Sequence, residues 1–221
     1  MSDSLDLLDY RRRVFEMYAR ARAGHAQPEA ACLEFRRARD ELFRTHPQSA
    51  LSAEQRASFA GLSYFPYDPA LRLALPVDTS VEPRLIQIHL REDGVMRLRR
   101  FGRVRFSIAG REVSLSVFWI TGYGGGVFLP FKDLTSTEAT YPGGRYLLDT
   151  IKGADLGRQG TRLIVDFNYA YNPSCAYQAR WDCPLAPEEN HLPVAIRAGE
   201  RRFPAPVDAT NRAARGSPAR L

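Results

Sequence analysis

The stretch RLIQIHLREDGVMRLRRFGRVRFSIAGREVSLSVFWI, residues 84–120, decides the fold class. Ile86, Ile88 and Leu90 alternate with other side chains, Glu92-Asp93-Gly94 is a hairpin-turn signal, and Met96 and Leu98 resume beyond it. Val104, Phe106 and Ile108 alternate, Ala109-Gly110-Arg111 turns the chain, and Val113, Leu115, Val117 and Trp119 alternate in phase. A period of two puts each such set on one face of a strand, so the stretch predicts two antiparallel hairpins. The signal continues on both sides. Leu71, Leu73 and Leu75 alternate upstream. Downstream, a glycine-rich turn from Gly122 to Gly126 precedes a strand over 127–131, and Tyr146-Leu147-Leu148 and Leu163-Ile164-Val165 read as two more. Val194-Ala195-Ile196 precedes a last turn at Ala198-Gly199-Glu200. Strands at this spacing, with no helical pattern between them, predict a mainly antiparallel β-barrel or β-sandwich.

The first third has the other period. Leu5, Leu8, Val14, Phe15, Tyr18 and Ala19 lie mostly at helical spacing behind a cap at Ser2 or Ser4, and GHAQP breaks the run. Pro28 suits the first turn of a second helix, which carries Ala31, Phe35, Ala38, Leu42 and Phe43 on one side and stops at His46-Pro47. Ser52-x-x-Gln55 resembles a capping box opening a short third helix that ends around Gly61. Tyr64-Phe65-Pro66-Tyr67-Asp68-Pro69 then reads as a rigid linker laid on apolar surface. The expected architecture is α+β: a helical layer over 1–63, an antiparallel β domain over 64–202 carrying the polar loops, and a disordered tail over 203–221.

The 221 residues, 44% of them hydrophobic, suffice for a sizeable core. No run of about 18 apolar residues exists, so no membrane span is expected. MSDSLDLLDYRRR lacks the apolar segment of a secretory signal, which makes the cytosol the expected compartment. The net charge is +6, but only Lys132 and Lys152 are lysines among 31 basic residues, and much of the excess sits in the tail beyond Arg201. That distribution reads as an arginine habit of composition, and no nucleic-acid partner is expected. Phosphate loops, dinucleotide fingerprints, nucleophile elbows and H-E-x-x-H are all missing from the sequence.

Polar chemistry concentrates in three loops. Asp133 is placed to accept bonds from its own turn, and Arg145 begins a strand with a planar five-donor head suited to a carboxylate or an anion. Asp166-Phe167-Asn168-Tyr169-Ala170-Tyr171-Asn172 follows an apolar strand. If strand geometry persists, Asp166 and Asn168 share a face, and Arg145 is the natural partner of Asp166. Cys175-x7-Cys183 does not have common zinc spacing. A disulfide across that loop is geometrically reasonable but opposed by the expected compartment, and two small buried thiols packing a proline-rich loop are the plainer account. Cys32 falls in a helical pattern as a small buried hydrophobe.

Together these segments resemble the bacterial and archaeal family catalogued as domain of unknown function 1684. The resemblance runs from about Phe15 to Glu200 and rests on FRRARDELF at 35–43, YFPYDP at 64–69, FKDLTSTEATYPGGRYL at 131–147, DFNYAYNPSCAY at 166–177, CPLAPEEN at 183–190 and the closing IRAGE at 196–200. It implies that Asp133, Thr135, Thr140, Tyr141, Gly144, Arg145 and Tyr146 belong together in space with Asp166, Asn168, Tyr171, Asn172, Pro173, Cys175, Tyr177, Cys183, Pro184, Glu188 and Asn190. Thr137 stands where the family commonly has Gly, and Ser174 where a bulky aromatic is usual.

The leading expectation is a small-molecule site at one end of the β domain. Arg145 would hold an anionic group beside Asp166. Tyr141, Asn168, Tyr171, Asn172, Tyr177 and Asn190 would bind or orient it, with Cys175 and Cys183 in structural roles. A reaction there would be hydrolytic, with Asp133, Asp166 or Glu188 as candidate acid or base; no cofactor is specified. Two alternatives remain open: a non-catalytic scaffold or homo-oligomer acting through helices within residues 5–45, and metal binding through Cys175, Cys183 and His191.

Overall fold

The structure, a computed structural model, describes residues 3–90 and 94–204. The expected tail beyond Pro204, the cap at Ser2 and the turn residues Glu92 and Asp93 lie outside the described residues. Helix α1 spans Asp3–Ala23, α2 Pro28–Thr45 and α3 Ala53–Ala57. Pro28 occupies the first turn of α2, where a missing N–H costs nothing. Ser52 and Gln55 form the reciprocal capping box at α3, which stops at Ala57, earlier than the sequence suggested.

Among the described residues, eight strands follow in two antiparallel sheets. β1 (Arg72–Leu75), β8 (Arg162–Asp166) and β7 (Arg158–Gln159) form a three-stranded sheet in the order β1-β8-β7. β2 (Arg84–Leu90), β3 (Gly94–Ile108), β4 (Arg111–Ile120), β5 (Gly126–Phe131) and β6 (Arg145–Asp149) form the other in sequential order. Both predicted hairpins are present. The Met96 and Val104 segments belong to one long strand, β3, interrupted by a register shift between Arg100 and Gly102. At the β3–β4 turn, Ala109 and Gly110 both take positive φ, 51° and 77°, the handedness that matches strand twist in a two-residue hairpin. Among the described residues the larger sheet stays open between β2 and β6, so the β domain is sandwich-like and no closed barrel forms.

The three-stranded sheet is covered on both faces, which explains its alternation. Leu73, Leu75, Leu163 and Val165 point into a core shared with the larger sheet, where Val104, Leu115, Leu129, Phe131, Leu147 and Phe167 are buried. Ala74 and Ile164 point the other way, against Met17, Tyr18, Cys32, Phe35 and Leu42 of the two long helices. The layers are therefore helices, small sheet, large sheet. Arg36 of α2 reaches across to the linker: it donates to Phe65 O at 2.9 Å and Asn168 O at 3.2 Å and lies over the Tyr64 ring at 4.6 Å.

Residues 190–202 carry no ladder strand, yet Leu192, Val194, Ile196 and Ala198 are buried in alternation. Their backbone is tied by side chains. Arg145 donates to the carbonyls of Ile196 (2.9 Å), Ala198 and Glu200 (3.3 Å), three alternate residues of one extended edge. Asp133 accepts from the Ile196 N–H at 2.7 Å and pairs with Arg145 at 3.3 Å. Asn190 fastens the other end, donating to Ser116 O (3.0 Å) and Pro130 O (2.7 Å) and accepting from Ser116 N (2.8 Å). Gly199, at φ 73°, passes so close to the 167–170 turn that a Cβ would sit 2.6 Å from Ala170 O.

Both side chains of the Asp133–Arg145 pair are wholly out of solvent. Replacing Arg145 with Ala strands a buried carboxylate and three carbonyls. The expected cost is about 3–5 kcal/mol, read as a lowered urea midpoint. Arg145→Lys should restore only part of it, because a single ammonium cannot present the planar fork that reaches alternate carbonyls.

Candidate functional site

The polar residues singled out in the sequence separate into three groups. The expected arrangement, with Arg145 beside Asp166 facing a solvent-reachable hollow, is not what forms. Arg145 pairs with Asp133 inside the protein, and Asp166 has Arg72 as its cation, at 3.8 Å. The reason is local: β8 ends at Asp166, and residues 167–169 form a 3-10 turn that Asp166 caps, so strand geometry does not persist into this motif. Asn168 is likewise turned inward. It clasps the linker by donating to Asp68 O and accepting from Asp68 N, both at 2.8 Å. Asn190 is fully buried in the tie described above. Glu188 is exposed at the other side of the larger sheet, beside Glu189, which pairs with Arg100 at 2.8 Å.

The second group is a cleft of about 430 Å³ between the helices and the small sheet. Arg22 comes from the last turn of α1, His25 from the turn after it, Arg72 from β1, Arg158 from β7, and Asp166 from the end of β8. Arg72 and Asp166 are register partners across the β1–β8 ladder, which fixes their closeness. Arg22 is steadied by donating to Asp155 O at 2.5 Å. Asp166 Oδ1 accepts from the backbone N and the side-chain amide of Asn168, both at 2.9 Å, leaving Oδ2 toward Arg72. Burial is the strongest influence on this carboxyl and raises its pKa; the Asn168 bonds and the charges of Arg72 and Arg36 oppose the rise. Arg22, Arg72 and Arg158 were missed in the sequence, because pairing across a short sheet and packing of a helix end leave no mark in spacing.

The third group lines a smaller cavity of about 100 Å³ under α1 and α2. Tyr146, Tyr171, Asn172, Tyr177 and Cys183 meet Arg39 there. Arg39 lies over the Phe43 ring at 4.5 Å and the Tyr171 ring at 5.3 Å, and donates to Glu200 and to Tyr177 Oη at 3.2 Å each. Tyr177 in turn donates to Glu200. Asn172 donates to Glu200 at 3.0 Å and Arg201 O at 2.8 Å. Arg39 had a readable signal: it stands three residues after Arg36 and four before Phe43, on the apolar side of α2. Tyr141 stands beside this group, donating to Cys175 Sγ at 3.5 Å. The metal alternative finds no support. The His191 ring bonds Ala186 O at 3.1 Å, and among the described residues no three His, Cys, Asp or Glu side chains gather as a metal would require.

The molecule is thus an α+β sandwich whose motif residues divide between internal ties, a cationic cleft and a tyrosine-lined cavity. Its sequence matches the family described as Protein of unknown function (DUF1684) over residues 57–201, and the chain belongs to that family. It is similar to an uncharacterized protein of Haloarcula marismortui whose solution NMR structure is 34% identical, with a TM-score of 0.57 over 78% of this chain and 93% of that one. A search of curated proteins finds no match. Among the described residues no helix is long and apolar enough to cross a membrane.

The raised carboxyl of Asp166 has a defined consequence. A group with a raised folded pKa favours folding in its protonated form. That contribution is complete below the unfolded aspartate value of about 3.9 and is lost as pH rises through the folded one. Asp166→Asn keeps an amide oxygen able to cap the 167–169 turn and cannot ionise. Its stability relative to the parent should therefore improve as pH is raised from about 4 to about 7. Urea midpoints across that range check the slope, and a difference that does not change with pH contradicts it.

Proposed function

We propose that the protein binds a small anionic molecule in the cleft between α1 and the three-stranded sheet. The reading is carried by one observation: Arg22, Arg72 and Arg158, with His25, converge on a hollow of about 430 Å³ in which Asp166 is the carboxylate among the described lining residues. That volume falls in the range of small-molecule sites, about 300–1,000 Å³. Guanidinium forks from different elements suit a phosphate or carboxylate group, and Asp166 Oδ2 would orient a hydroxyl or ammonium beside it. A hydrolytic reaction in this cleft would draw its acid or base from Asp166.

Thermal unfolding against inorganic phosphate, pyrophosphate, citrate and a nucleoside monophosphate, at low salt, tests this. A ligand at a hundredfold its Kd stabilises by about 2.7 kcal/mol, which for a chain of this size raises Tm by about 5–10 °C. Arg72→Ala and Arg158→Ala should abolish the shift; Arg158 is exposed and ties no core element, so that variant should remain folded. Equal shifts in the parent and both variants would remove the reading.

A second reading, self-association through the helical layer, rests on α1. Leu5, Leu8 and Phe15 are three and seven residues apart on one side of this helix and are 56%, 52% and 46% exposed. The occupant would be a second copy of the chain. Light scattering should then give a dimer that Leu8→Glu converts to a monomer; a parent protein that stays monomeric at every concentration sinks this reading.

A further inference from the structure

Cys175 and Cys183 are the remaining reactive groups, and neither the cationic cleft nor the internal ties use them. The structure brings them together. Cys175 donates its backbone N–H to Cys183 Sγ at 3.3 Å, which sets the two cysteine side chains beside each other. The Tyr141 hydroxyl donates to the Cys175 sulfur. Both cysteines are free and half-buried, within reach of a small reagent, whereas Cys32 is sealed in the helix–sheet core. Cys183 also forms part of the tyrosine-lined cavity wall. Side-chain ties hold the loop that joins them: the Gln178 amide and the Trp181 indole N–H donate to Ala50 O, and the Gln55 amide donates to Tyr177 O.

The two sulfurs are not equivalent. Cys175 accepts a hydrogen bond from the Tyr141 phenol and has the Cys183 thiol beside it, and both favour a negative sulfur. The Cys183 thiol is the largest influence; burial and the charge of Asp182 oppose it, and the outcome is a pKa lowered to about 7. Cys183 and Tyr141 are pushed upward. One thiolate-prone sulfur beside one proton-retaining sulfur is the arrangement of an attacking and a resolving thiol.

We propose that Cys175 and Cys183 form a reversible dithiol–disulfide site whose co-substrate is a small glutathione-type disulfide, with Cys175 attacking and Cys183 resolving. Cys175 releases its proton to solvent, and its thiolate attacks one sulfur of the small disulfide. That S–S bond breaks, one small thiolate leaves, and a mixed disulfide forms on Cys175. Cys183 then attacks the Cys175 sulfur, its proton passes to the departing second thiolate, and the protein disulfide closes. Two protein thiols are oxidised and one small disulfide is reduced to two thiols, so electrons and protons balance. Cys183 lines the tyrosine-walled cavity, so disulfide formation changes a side chain of that wall and links the redox state of the pair to the cavity.

The test treats the whole protein with oxidised glutathione, quenches by alkylation and reads intact mass and peptide maps. The expected product has lost two hydrogens, carries a 175–183 cross-link, holds no glutathione and keeps Cys32 free. Cys183→Ser should stop at one glutathione on Cys175, and Cys175→Ser should be modified at Cys183 about tenfold more slowly. Stable glutathione adducts on the parent without a cross-link, or labelling of Cys32 in preference to Cys175, would overturn the proposal. The parent's cross-link map decides the matter even if a serine variant does not fold.

Discussion

One buried ion pair organises the C-terminal half of this protein. Asp133 and Arg145 flank the loop between β5 and β6, and their polar atoms complete the hydrogen bonding of residues 190–202, which backbone bonds to 132–134, 170 and 63–65 leave unfinished. An extended segment without a ladder must satisfy its N–H and C=O groups elsewhere. A guanidinium supplies several donors in a fixed plane, enough for carbonyls on alternate residues, and a carboxylate accepts the N–H of the first of those residues, Ile196. Leu192, Val194 and Ile196 can then turn inward and close the core between the two sheets. A charge pair in such a place contributes little net stability compared with apolar packing. Its role is to make one path of the chain the satisfied one.

The same constraint determines where chemistry is possible. With Arg145, Asp133, Asn168 and Asn190 committed to backbone groups, the open hollows that the motif residues line lie under the helical layer. The cleft sits between the helices and the small sheet, and the tyrosine-lined cavity between the helices, the end of β6 and residues 171–183. Each needs the helices: α1 supplies Arg22 to one, and α2 supplies Arg39 to the other. The helical layer is therefore part of both hollows, and residues distant in sequence share each wall.

Much of the secondary structure was legible. The period-two runs from Leu73 to Trp119 became strands, Leu71 closing a 3-10 turn before the first, and Pro28 and the Ser52–Gln55 pair marked helix starts, because these signals are local and steric. The motif at 166–172 was not legible as a turn, since its alternation continues the pattern of β8 until Asp166 caps the backbone. The pairing of Arg145 with Asp166 failed for a related reason: a guanidinium reaches whichever carboxylate the fold places near it. Asp133 is twelve residues away in sequence and one strand end away in space.

What the sequence alone determined is the alternation of apolar side chains, the caps and turns, and the family to which the chain belongs, all properties that neighbouring residues impose on one another. The tertiary structure decided which charges are buried and which remain open. Burial depends on the stacking of three layers, and the energy of a charge depends on the groups that surround it in space. Arg72 and Arg145 are the same residue type at the start of a strand, but one lines a cleft while the other is sealed in the core, because only the latter has the 196–200 segment laid across it.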